Sequence, residues 1–122
     1  MTSDASVSKL RVTTDLRDGI AVIEANGEID LQTADSLAGA LRSQIAAGVG
    51  GIVLDLLEVP FMDSSGLKQL LAASNEMRER FVVVLAPEST VRRLLELAEL
   101  ADRIPLRTGV DEAVAELASS EG

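Results

Sequence analysis

The sequence has no cysteine, histidine, tryptophan or tyrosine, and these gaps restrict its function sharply. Without cysteine, disulfide frameworks and thiolate metal sites are excluded. Without histidine, so are Ser-His-Asp and Cys-His nucleophiles, His-ligated zinc and imidazole acid–base chemistry. Two phenylalanines are the only aromatic residues, too few for the stacking platforms on which RNA and single-stranded DNA are read. No apolar run approaches the roughly 18–20 residues of a membrane span. Residues 1–8 lack the basic-then-apolar pattern of a secretory signal, so a cytoplasmic location is expected. A Walker phosphate loop is absent, and no motif implies a cofactor or a metal.

What is present describes one globular unit. The chain has 122 residues, 47% hydrophobic and 25% charged, enough for a single core and too short for two domains. The expected division is a flexible segment over 1–8, one domain over 9–118 and a flexible tail over 119–122. Against 11 Lys and Arg stand 20 Asp and Glu, a net charge of −9. Such a surface repels nucleic-acid phosphates and anionic membranes. It keeps the chain soluble and would also steer it toward a basic partner.

Periodicity supplies the elements. Leu10, Val12, Thr14 and Leu16 alternate as in a half-buried strand, Asp18-Gly19 signals a turn, and Ile20 to Glu24 resumes the strand pattern, together a hairpin. Asn26-Gly27 marks a second turn or bulge. Leu37, Leu41 and Ile45, with Ala34, Ala38 and Ala40 beside them, trace one face of a helix. Thr33 or a neighbour would cap that helix, and Gly48 would end it. Ile52 to Leu56 is a nearly continuous apolar run, as expected of a strand covered on both faces. A second helix follows from about Ser65, with Leu67, Leu70, Leu71, Ser74 and Met77 on its core face. Phe81 to Leu85 is another buried strand, stopped by Pro87. Val91, Leu94, Leu95 and Ala98 give a third helix capped by Ser89 or Thr90. Ile104-Pro105-Leu106 would be a short edge strand, and Val110 to Ala118 a last helix. The order β-β-α-β-α-β-α-β-α is an α/β domain with a mostly parallel, mixed sheet of four to five strands and about four helices.

In such sheets, sites gather beyond the carboxyl ends of the strands. Two segments fall there, Gly27-Glu28-Ile29-Asp30 and Phe61-Met62-Asp63-Ser64-Ser65-Gly66-Leu67. If their strands are parallel neighbours, Asp30 comes near Ser64. The second segment opens a helix, where backbone N–H groups lack partners and favour an anion. Gly66 lets a backbone or an oxyanion come close. A hydroxyl there is a candidate phosphate acceptor. Asp63, Ser64 and Ser65 are equally the ordinary capping residues of any helix.

The segment from Val53-Leu54-Asp55-Leu56 through Phe61-Met62-Asp63-Ser64-Ser65-Gly66-Leu67 resembles the signature of bacterial anti-sigma-factor antagonists, the STAS domain. Gly27-Glu28-Ile29-Asp30 with Thr33 resembles that family's other motif, and the likeness runs from about Leu10 to Leu117. It implies a STAS-like fold and partner switching. The unphosphorylated antagonist would bind an anti-sigma factor that is also an ATP-dependent serine kinase, releasing a sigma factor. Phosphorylation on Ser64 would abolish that binding, and a serine phosphatase would restore it. Carried over residue by residue, the resemblance makes Ser64 the acceptor. Asp30, Met62, Asp63, Ser65 and Gly66 become partner-binding or loop-shaping positions on a chain that is monomeric when free. Lys68 departs from the small residue many relatives carry after Gly-Leu, and its cation could pair with a phosphate.

Three other readings are separable. A phospho-aspartate receiver with Asp55 as acceptor needs two adjacent acidic residues ending the first strand, whereas Asp15 and Asp18 lie apart at a hairpin turn. An enzyme would need a base for Ser64, and Lys68 falls one residue beyond a Ser-x-x-Lys spacing. A STAS scaffold or ligand-sensing module that is not regulated by phosphorylation would hold Ser64 as a plain cap. Its interaction surface could be the leucine-rich third helix with Arg92 and Arg93.

Overall fold

The computed structural model describes residues 9–119. Strands β1 (Leu10–Arg17) and β2 (Ile20–Gly27) form the expected hairpin. Its turn residues Asp18 and Gly19 both take positive φ, 54° and 80°, the combination a two-residue turn needs to match strand twist. Then follow α1 (Ala34–Ala46), β3 (Gly51–Glu58), α2 (Ser64–Met77), a 3₁₀ turn (Arg78–Arg80), β4 (Phe81–Val84), α3 (Thr90–Leu97), β5 (Leu106–Arg107) and α4 (Val110–Ser119). The five strands lie in the order β1-β2-β3-β4-β5. β1 is antiparallel to β2, and every later pair is parallel.

Side chains alternate between two cores because strand residues alternate between faces. Ala21, Ile23, Ile52, Leu54, Phe81 and Val83 point to one side, where they join Leu37 and Leu41 of α1, Leu70 and Ala73 of α2 and Val91 and Leu95 of α3. Ile20, Val22, Val53, Val82 and Val84 point to the other and meet Ala113, Val114 and Leu117 of α4. The apolar runs of β3 and β4 are therefore covered twice, as their composition predicts. Arg80 fastens the layers: its side chain donates to the carbonyl of Gly50 and, at 3.0 Å, to that of Leu117.

Three details differ from the sequence expectation. In β1 the alternation buries only Leu10 and half-buries Val12, and Leu16 is 60% exposed. The strand forms the edge of the sheet, and at its far end Arg17 pairs with Asp111 at the start of α4 at 2.6 Å. The last strand is Leu106–Arg107 rather than Ile104 to Leu106. The N–H of Ile104 is still spent on the carbonyl of Leu100 in a helical turn, and Pro105 has no N–H, so pairing begins with the Pro105 carbonyl, which accepts from Val83 at 3.0 Å. Ser119, placed in the tail by the sequence, is the last residue of α4. The 1–8 segment and the rest of the tail lie outside the described residues.

Candidate functional site

The two loops singled out by sequence are joined by backbone. Ile29 and Met62 form a parallel bridge beyond the ends of β2 and β3. The Ile29 N–H donates to the Phe61 carbonyl at 3.0 Å, and the Asp63 N–H donates to the Ile29 carbonyl at 3.1 Å. Asp30 and Asp63 are thus the next residues along two paired chains, so both acidic positions share one rim.

Asp63 occupies the N-cap of α2 with extended backbone, and its Oδ1 accepts from the Ser65 N–H at 2.8 Å. Its carbonyl accepts from Gly66 and Leu67 at 3.0 and 3.2 Å. Helix α2 therefore begins at Ser64, one residue earlier than expected, with Asp63 as the capping side chain. Ser64 is exposed, and its hydroxyl has no hydrogen bond within the described residues.

Gly66 is buried for a steric reason. A Cβ there would stand 2.5 Å from Met62 Cγ and 2.8 Å from Ile29 Cγ2, so both loops close over this glycine. Met62, expected among the partner-binding positions, is only 5% exposed and belongs to the core. Met62 and Gly66 hold the loop together from beneath rather than presenting a surface. Ser65 is half-buried, with its N–H committed to Asp63.

Asp30 is half-buried and serves its own loop. Its Oδ1 accepts from the N–H groups of Gln32 at 2.9 Å and Thr33 at 3.1 Å. Thr33 holds the N-cap position of α1 without a capping hydrogen bond. Its hydroxyl turns back, donating to the Glu28 carbonyl at 2.8 Å and accepting from the Asp30 N–H at 2.9 Å. The Asp30 carbonyl accepts from the Ala34 N–H at 2.8 Å, the first of α1, and the Gly27-to-Thr33 motif is a self-closing turn. Lys68 lies exposed one helical turn after Ser64.

Sequence reasoning gave no weight to the exposure of two large apolar side chains here. Leu31, beside Asp30, is 79% exposed, and Phe61, two residues before Asp63, is 49% exposed. A leucine and a phenylalanine in short loops carry no periodicity that shows which way they point. The rim therefore offers a hydroxyl, two carboxylates and two apolar side chains. Each carboxylate accepts from backbone N–H groups of its own loop, and the described residues hold no cluster of acidic side chains fit for a metal ion.

Comparison with known proteins agrees with this geometry. The family model of the STAS domain matches residues 11–113. The anti-sigma-F factor antagonist RsfB of Mycobacterium tuberculosis is 36% identical over 107 residues, covering 86% of this chain and 87% of that protein. The crystal structure of an anti-sigma factor antagonist from Mycobacterium paratuberculosis superposes with a TM-score of 0.81 at 32% identity, over 88% of this chain and 93% of that one. The Bacillus cell fate determinant SpoIIAA, solved in its phosphorylated form, has the same fold at 22% identity and a TM-score of 0.65, over 88% of this chain and 99% of that one. The chain belongs to the STAS domain family of anti-sigma-factor antagonists, which are non-enzymatic regulatory proteins.

Proposed function

We propose that this chain is a phosphate-controlled partner switch whose binding surface is the rim formed by Leu31, Phe61 and the start of α2. Unmodified, it binds an anti-sigma factor with serine kinase activity and so frees a sigma factor. That partner phosphorylates Ser64 and is released, and a serine phosphatase resets the cycle. The free chain is a monomer, and its partner places it in the cytoplasm.

The observation that carries this reading is the division of labour between Asp63 and Ser64. Asp63 does the capping, so the exposed Ser64 hydroxyl has no structural task and is open to modification. That weighs against a scaffold in which Ser64 is a plain cap. Phosphate on Ser64 adds about −1.5 to −2 charges and three acceptor oxygens. In a closed interface, next to Asp63 and across the bridge from Asp30, that charge meets like charges and loses its water. An unpaired buried charge costs several kcal/mol, and about 1.4 kcal/mol is a tenfold loss of affinity. Release of the partner then needs no refolding.

Peptide mass spectrometry after incubation with ATP and the anti-sigma partner tests the acceptor. A single phosphate should appear on the wild type and on Ser65→Ala, and be absent from Ser64→Ala. Phosphate retained in Ser64→Ala and lost in Ser65→Ala would move the switch to the neighbouring serine. No phosphate with a partner that binds would leave the unregulated module as the reading.

A further inference from the structure

Two polar side chains lie buried among the described residues, Thr33 and Ser74, each 7% exposed. The Thr33 hydroxyl is hydrogen-bonded on both sides, to Glu28 and Asp30. The Ser74 hydroxyl has no partner among the described residues. A buried hydroxyl left unpaired is destabilising and calls for an explanation.

Ser74 lines a cleft of about 800 Å³ between the end of α2 and the 101–107 segment. Three of the chain's 11 Lys and Arg residues, Arg78, Arg103 and Arg107, line it too, together with Asn75. In a chain of net charge −9 that is a concentrated set of donors. Arg107 is a fixed wall, its guanidinium held by the Glu116 carboxylate through bonds of 2.9 and 2.7 Å. Among the described residues, the other two are free of ion pairs. Arg103 makes one 3.5 Å contact with Asn75 Oδ1, and Arg78 makes none. Glu79 and Asp102 border the same cleft, yet among the described residues neither carboxylate comes within 4.0 Å of a guanidinium nitrogen.

The backbone adds a second sign. Arg78 closes α2 with φ 56° and ψ −130°, and its N–H bonds to the Ser74 carbonyl. Only glycine takes that conformation without strain, and strained residues of this kind cluster where a ligand is held. We infer that this cleft binds the phosphate group of a small phosphorylated molecule. The forks of Arg78 and Arg103 face its oxygens, and the Ser74 hydroxyl and the Asn75 amide complete the set. Ser74 stands roughly 15 Å along α2 from Ser64 at about 1.5 Å per residue, so this site is separate from the partner-binding rim and does not depend on its role.

A titration of the ¹⁵N-labelled full chain with inorganic phosphate at constant ionic strength, followed by amide shifts, tests the inference. Acetate serves as a parallel arm. Saturable shifts are expected at 74–80 and 101–107 with phosphate, and none at Ser64 to Gly66. Arg103→Ala should weaken binding by about tenfold, the loss of one charge-assisted contact. Arg78→Gly should also weaken it while raising the melting temperature, which separates binding from folding. Shifts that never saturate, shifts confined to Ser64 to Gly66, saturation by acetate but not phosphate, or wild-type affinity in both variants would overturn the assignment.

Discussion

Asp63 and Ser64 are adjacent, both polar and both common at helix starts, yet they have different tasks. The Asp63 carboxylate meets an orphan N–H at 2.8 Å, so Asp63→Ala should cost about 1 kcal/mol of stability. Ser64→Ala removes a hydroxyl with no partner and should stay within about 0.5 kcal/mol of wild type. Urea unfolding of the two variants reads this directly, and equal losses would mean the capping is shared. The residue types around this site were legible in the sequence, since Asp-Ser-Ser-Gly before an apolar run announces a helix start. Which of the three polar residues caps was not, because each can, and only the backbone of Asp63 selects it. Asp30 and Thr33 repeat the lesson. The Thr33 hydroxyl turns back to Glu28 and Asp30 instead of capping α1, a choice no spacing rule reveals. Burial of Met62 was equally hidden, because it comes from the bridge to Ile29 and the missing side chain at Gly66.

Among the elements, those with a clear apolar pattern were placed correctly, the hairpin, α1, the doubly covered strands and α4, although the alternation of β1 overstated its burial. Weak ones moved. β5 pairs through only two residues, and the helical turn that consumes Ile104 set its start. The hairpin is tied to the site through Gly27, whose φ is 125° and whose absent Cβ makes room for the carbonyl of Lys9. The neighbouring Glu28 N–H bonds to that same carbonyl at 3.1 Å. Gly27→Ala would combine backbone strain with a clash against the main chain, neither of which a side-chain rotation relieves. A loss of at least about 2 kcal/mol is expected, measured by urea midpoint. Because Gly27 opens the segment that carries Ile29 and Asp30, the amide shifts of Ile29 to Thr33 should move with it. A change confined to Lys9 and Leu10 would show the hairpin and the rim to be independent.

At the scale of the whole molecule, the acidic surface and the few ion pairs set the response to pH. Arg107 holds the Glu116 carboxyl below the ordinary glutamate range, chiefly by hydrogen bonding to it. A carboxyl depressed in the folded state contributes stability that is present above its unfolded value, about 4.3, and is lost as pH falls through the folded value. Both partners are substantially exposed, so the pair contributes no more than about 1 kcal/mol. Glu116→Gln should therefore be less stable than wild type at neutral pH, and the gap should close below the glutamate range. A gap that widens on acidification would reverse the sign.

The proposed switch also belongs to this scale, because one five-stranded sheet, packed by helices on both faces, carries the rim. The affinity of the anti-sigma partner for the unmodified chain and for the chain phosphorylated on Ser64, measured side by side by calorimetry, tests the central claim most directly. Phosphate should weaken binding by about a hundredfold or more, and equal affinity of the two forms would contradict a phosphate-controlled switch at this rim.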